Sequence, residues 1–245
     1  MGQKVRPTGF RVGVMVGWAS SWYANKQDFS DLLIEDFRIR AFVEKTLTKK
    51  GRIDQRPGIS KIKIERTREK VVITIYTSRP GAIIGKKGEN IEKLTRKLED
   101  LTHRHIEVKT IEVNRPEGDA QLIAEDIAEQ LEKRSSFRRT MKQAMQKAME
   151  AGCKGIKLQL SGRLGGAEMA RCEKSMEGSI PLSTLRTRVE YGFAEASTAQ
   201  GNIGIKVWVN NGDYLSEEMT DAANAQTRQV SKKPARGRQR EREQR

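Results

Sequence analysis

Apolar residues return every three or four positions from Leu32 to Leu47, taking in Leu33, Phe37, Ala41 and Phe42, and this spacing predicts an amphipathic helix behind Asp31. The period then shortens to two. Ile62 and Ile64 alternate with Lys61, Lys63 and Glu65, and Val71, Ile73 and Ile75 alternate with Thr74 and Tyr76, which predicts two strands around a turn near Arg68 and Glu69. Gly81 to Gly88 is glycine-rich, and Ile91, Leu94, Leu98 and Leu101 follow it at helical spacing. Ile106 and Val108 predict a closing strand, while the opposite parity of Ile111 and Val113 predicts a bulge or strand end between the two pairs. The predicted order is helix, strand, strand, helix pair, strand.

Past Arg115-Pro116-Glu117-Gly118, a breaker cluster, the pattern restarts with two helices. Ile123, Ile127 and Leu131 mark the first, and Phe137, Met141, Met145 and Met149 mark the second. About four strands follow. Three are drawn by Ile156, Leu158 and Leu160, by Val189, Tyr191 and Phe193, and by Ile203, Ile205, Val207 and Val209, with a weaker one from Met169 to Met176. This half reads as an α+β unit with two helices on a mostly antiparallel sheet. Periodicity stops after Gly212. Boundaries are therefore set at 1–17 (a basic arm), 18–114, 115–212 and a mainly basic tail at 213–245. The tail has no large apolar residue after Val230 and is expected to be disordered alone.

Charge narrows the function. The 245 residues carry 47 Lys and Arg against 32 Asp and Glu, a formal charge of +15, which calls for a polyanionic partner. No run approaches the roughly 18 apolar residues of a membrane span. The short apolar stretch from Val12 to Trp18 lacks the features of a signal peptide, and Arg6 stands where myristoylation wants Ser or Thr. Two distant cysteines, Cys153 and Cys172, build no disulfide framework, so a reducing, cytoplasmic setting is expected. His103 and His105 with those cysteines lack the paired spacing of a zinc site, and no catalytic motif is readable. Neither a metal nor a cofactor is expected, and no enzyme activity.

Ile83-Ile84-Gly85-Lys86-Lys87-Gly88 carries the most specific chemistry. Two glycines around two lysines between helices bring the backbone close to a sugar-phosphate chain, the lysines neutralise phosphates, and the next helix offers free N–H groups. A P-loop does not fit, since Gly81 and Gly85 enclose three residues instead of four and Lys87 replaces the hydroxyl. A purely structural turn is the plainer alternative. The segment resembles the GxxG loop of the KH domain, and the order of elements around it is similar to the type II KH arrangement. RNA binding is expected at Ile84, Gly85, Lys86, Lys87 and Gly88.

Three motifs widen that resemblance: Gly2 to Arg11, the GxxG segment, and Gly155-Ile156-Lys157 running to Ser161-Gly162-Arg163-Leu164-Gly165-Gly166-Ala167-Glu168. Together they resemble the bacterial type of the small ribosomal subunit protein 3 family. The resemblance implies a structural constituent of the small subunit that binds its ribosomal RNA in the head, helps line the path by which messenger RNA enters, and has other head proteins as partners. Arg138, Arg139 and Lys142 lie within one helical turn, apart from Phe137, Met141 and Met145, and form a cationic cluster or a merely solvated face. The resemblance makes them messenger-facing. Arg163 and Arg171 beside glycines, and Lys4, Arg6 and Arg11 in an extended arm that threads between RNA helices, are further expected contacts. Trp18, Trp22 and Tyr23 read as packing residues. The rivals are a free KH-type transcription or RNA-processing factor and a lyase or nuclease using a lysine nucleophile.

Overall fold

The computed structural model describes residues 4–49, 57–67 and 70–214, and within them two α+β lobes follow one another along the chain. After α1 (Pro7–Arg11) and β1 (Ser20–Ser21), the first lobe consists of α2 (Phe29–Lys49), β2 (Ile59–Arg66), β3 (Lys70–Thr77), α3 (Pro80–Ile84), α4 (Glu89–Thr102) and β4 (His105–Glu112). Its sheet runs β1-β2-β3-β4. β2 and β3 form an antiparallel pair with Ile62 opposite Ile75 and Ile64 opposite Ile73. β4 lies parallel to β3, which obliges the chain to cross over through α3 and α4. Ile62, Ile64, Val71, Ile73, Ile75 and Ile106 put their side chains on one face, where Ile39, Val43, Ile83, Leu94 and Leu98 from the helices close the core. The predicted helix, hairpin, helix pair and closing strand are all present.

Two details differ. The β3 and β4 register is unbroken from Lys70 and His105 to Thr77 and Glu112, so no bulge separates Val108 from Ile111. Ile111 points to the outer side of the sheet and is 42% exposed. α2 turns a different face inward from the one its most regular stripe marks. Leu33 and Phe37 are exposed, while Ile39 and Val43 are buried beside Asp36. Asp36 is tolerated there because Trp22 Nε1 donates to it at 2.8 Å and Arg66 Nε at 2.8 Å, so the buried carboxylate is paired and hydrogen-bonded. Of the three clustered aromatics only Trp22 packs, tilted on Phe29 at 5.1 Å, whereas Trp18 and Tyr23 are exposed. The turn at Arg68 and Glu69 lies outside the described residues.

The second lobe contains α5 (Ala120–Glu132), α6 (Phe137–Glu150), β5 (Gly155–Gly162), β6 (Arg171–Gly178), β7 (Thr187–Thr198) and β8 (Gly201–Asp213). The sheet order is β6-β5-β8-β7, and every adjacent pair is antiparallel. α5 lies against β7 and β8 and α6 against β5, with Ile123, Ile127, Leu131, Met141 and Met145 meeting Ile156, Leu158, Leu160, Ile203, Ile205, Val207 and Val209. β7 departs from simple alternation. Its helix-side positions include Gly192 and Ala196, and a Cβ at Gly192 would overlap the carbonyl of Ala120. α5 therefore rests on the backbone of β7, and the large residues Tyr191 and Phe193 face the other way.

Asp119 joins the lobes. Its Oδ1 accepts from the backbone N–H of Gln121 and Leu122, capping α5, and its Oδ2 accepts from Ser60 Oγ in β2. The predicted tail lies outside the described residues except for Asp213 and Tyr214.

Candidate nucleic-acid interface

The KH loop is made by backbone conformation. α3 is stopped at Gly85, whose N–H returns to Gly81 O at 2.9 Å and whose φ of 72° with ψ of −174° suits glycine alone. Lys86 to Gly88 form a single 3-10 turn, and Gly88, left-handed at φ 83°, opens α4 without any side-chain cap. No side chain thus competes with an anion at the start of α4, although the N–H of Glu89 already returns to Lys86 O. A Cβ at Gly85 would collide with the side chain of Asn90, so that side chain fills the space beneath the turn. Ile83 is buried and moors the loop to the first core, Ile84 is 38% exposed, and Lys86 is exposed. The side chain of Lys87 lies outside the described residues.

The second basic site is built from side chains. On α6 the buried residues Thr140, Met141, Ala144, Met145 and Ala148 leave Arg138, Arg139 and Lys142 exposed on the solvent side. Phe137 is the pivot. Arg138 Cζ and Arg171 Cζ each lie 5.6 Å from its ring centroid, so the start of β6 is drawn to the start of α6. Arg171 also pairs with Glu173 at 3.3 Å. The turn after β5 abuts the same ring, with Gly165 facing Phe137 Cε1. Arg163 is half-buried, and its Nε and Nη1 donate to the carbonyls of Ala167 (2.9 Å) and Gln200 (3.2 Å). It serves first as the clasp of that turn. The fold therefore gathers Arg138, Arg139, Lys142 and Arg171 at one end of the second lobe.

The N-terminal arm requires a correction. Pro7 to Arg11 form a short helix, not an extended arm, and Arg11 is fully buried. Its guanidinium donates to the carbonyls of Thr187 (2.7 Å), Thr184 (2.8 Å), Pro7 (3.1 Å), Leu182 (3.3 Å) and Pro181 (3.4 Å). Nε, Nη1 and Nη2 are all engaged on backbone carbonyls and the side chain is fully buried, so Arg11 is not presented to RNA phosphates and instead bolts α1 to the second lobe. Arg6 is exposed and lies 5.2 Å over the ring of Tyr191, and Lys4 is exposed.

Cys153 is buried and Cys172 exposed, both as free thiols, and burial raises the Cys153 pKa. Among the described residues no cluster of His, Cys, Asp or Glu is arranged to hold a metal ion, and no helix is long and apolar enough to cross a membrane.

The family described as "Ribosomal protein S3, C-terminal domain" matches residues 127–209, and the KH domain family matches residues 38–118. The small ribosomal subunit protein uS3 of Rhodopirellula baltica is 58% identical over 96% of this chain and 98% of its own length. Its counterpart from Clostridium beijerinckii is 54% identical over 92% of this chain and 99% of its own. In Alkaliphilus metalliredigens the protein of the same name is 51% identical over 98% and 99%. Likeness at this level, spanning both lobes and both basic sites, places the chain in the ribosomal protein S3 family.

Proposed function

We propose that this protein is a structural, non-enzymatic constituent of the small ribosomal subunit in the cytoplasm. It binds ribosomal RNA in the subunit head and lines the path by which messenger RNA enters. The observation that carries the messenger reading is α6, whose apolar side is consumed by the core while Arg138, Arg139 and Lys142 stand exposed with Arg171 alongside. A moving transcript has to be held without regard to sequence, and cations directed at phosphates do that. The KH loop, from Ile84 to Gly88, suits a fixed single strand, because its glycines admit the sugar-phosphate backbone closely. Other head proteins are the expected protein neighbours.

Replacing Arg138, Arg139 and Lys142 together by Ala tests the messenger role. Subunits carrying the variant are expected to assemble and to translate unstructured messages normally, but to slow on messages with stable hairpins. Unchanged rates on hairpins would remove this reading. Sedimentation of the tagged protein through a sucrose gradient after a high-salt wash tests the structural role: co-migration with the small subunit is expected, and a main peak at the top would favour a free KH factor.

A further inference from the structure

Among the described residues, the face of the second sheet turned away from α5 and α6 meets a helix only at one end. On it, antiparallel register lines up Met176, Lys157, Trp208 and Tyr191 in one row and Lys174, Gln159, Lys206 and Phe193 in the next. Paired residues of an antiparallel sheet share a face, and these all oppose the side on which Leu158, Leu160, Val207 and Val209 meet the helices. The rows are about 6.7 Å apart, two residues along a strand. At one end α1 packs against β7, where Val189 is buried, and beyond it the face is open, with Phe193 at 42% exposure and Met176 at 63%.

We propose that this face is a stacking platform for single-stranded RNA, separate from the KH loop and from the α6 cluster. Trp208 and Tyr191 stand edge to face with centroids 5.4 Å apart, and a cation already covers each ring: Lys157 Nζ at 5.2 Å from Trp208 and Arg6 Cζ at 5.2 Å from Tyr191. A planar guanidinium on an aromatic ring occupies the place that a nucleobase would take. When a base stacks there, Lys157 and Arg6 move aside by rotamer changes and meet the flanking phosphates. Lys174 and Lys206 supply the same charge beside Phe193.

Charge complementarity decides the occupant. Arg6, Lys157, Lys174 and Lys206 on this face are set against Glu195, so it attracts a polyanion. Protein interface cores are poor in lysine, whereas here a lysine or arginine accompanies every aromatic ring. Duplex nucleic acid hides its base faces in its own stack, while a single strand offers them, and interleaved aromatic and basic residues are what such a strand needs.

Cys172 makes the test local. It sits on the same face, opposite Ser161, and is exposed, whereas Cys153 is buried. The full-length protein is titrated with a labelled oligouridylate while alkylation of Cys172 is followed, with Cys153 as the internal control. Bound oligouridylate is expected to slow Cys172 alkylation several-fold. Phe193→Ala or Trp208→Ala should each weaken binding roughly tenfold, within the range for loss of one base-aromatic stack. Trp208→Phe should restore most of that loss. Lys157, Lys174 and Lys206 replaced together by Gln should lower the slope of log K against log salt by about two.

If Trp208→Ala does not fold, the exposed Phe193 and the lysine triple decide the matter. The proposal is overturned if Cys172 reacts at the same rate with and without oligouridylate, or if the Phe193 and lysine variants bind as tightly as the parent. Cys172 protected in whole subunits but unaffected by oligouridylate would assign the face to a protein neighbour and equally overturn it. Gly85→Asp and the α6 triple Ala variant should leave Cys172 protection intact. Loss of protection in those variants would tie the face to the proposed RNA sites and refute a separate platform, while intact protection beside unaltered ribosomal function would sink only the earlier reading.

Discussion

Gly85 to Gly88 and Phe137 to Lys142 are both short, basic and placed where a helix begins, yet they are built from different materials. In the first, two positive φ angles and an uncapped helix start shape a concave backbone, and the lysines are additions to it. In the second, an ordinary amphipathic helix displays cations whose positions depend only on which side of α6 enters the core. The loop is therefore intolerant at its glycines and forgiving at its lysines. The helix is the reverse. Arg11 sharpens the lesson, since a residue of the same type as Arg138 is wholly internal and structural.

The largest effect expected from testing this contrast lies at Arg11. Arg11→Ala leaves several buried carbonyls without a donor, a loss of about 3 kcal/mol, and should lower the melting temperature by roughly 10 °C in a calorimetric scan. A variant that melts like the parent would mean the arm is free after all. Next comes the loop. Gly85→Ala meets both a forbidden backbone region and the Asn90 side chain, and is expected to cost about 2 kcal/mol, whereas Gly88→Ala, left-handed but unobstructed, should cost about 1 kcal/mol. Equal costs in chemical denaturation would show that the space beneath Gly85 is not filled as described.

A smaller effect concerns pH. Glu190 on β7 has its pKa raised, first by burial and then by the charge of Asp119, although Arg188 pairs with it at 3.0 Å. Its protonated form is thus favoured in the folded state, so the contribution is full below the ordinary glutamate pKa and is lost as pH rises through the elevated folded value. Glu190→Gln should flatten the decline in melting temperature across that interval. An unchanged pH profile would assign the decline to other groups. Smallest of all, the Arg138, Arg139 and Lys142 triple Ala variant should remain within about 0.5 kcal/mol of the parent in stability, because all three side chains lie on the exposed side of α6. A larger loss would make those residues structural.

Most elements were legible because their apolar period is carried by residues with one available face. Ile156, Leu158 and Leu160, the β8 series, and Ile123, Ile127 and Leu131 all point where their spacing says. α2 and β7 resisted the same reading. On α2 the buried side includes Asp36, whose burial depends on Arg66 thirty residues away, so the stripe through Leu33 and Phe37 looked the more regular. On β7 the small residues that admit α5 carry little hydrophobic signal, and Tyr191 and Phe193 drew attention to the opposite face. The aromatic rows of that face, assembled from β5, β6, β7 and β8, have no signature within any single segment.

What the sequence determined alone is local: the period of each helix and strand, the GxxG turn, the net charge and the kinship they support. Glycine and hydrophobic spacing act over a few residues, and such signals survive without a partner. The fate of each basic residue was decided only in the tertiary structure. Whether an arginine meets water, an aromatic ring or five carbonyls depends on what distant strands bring beside it. For Arg11 that means the carbonyl of Thr187 and its neighbours, 170 or more residues along the chain, which no local pattern encodes.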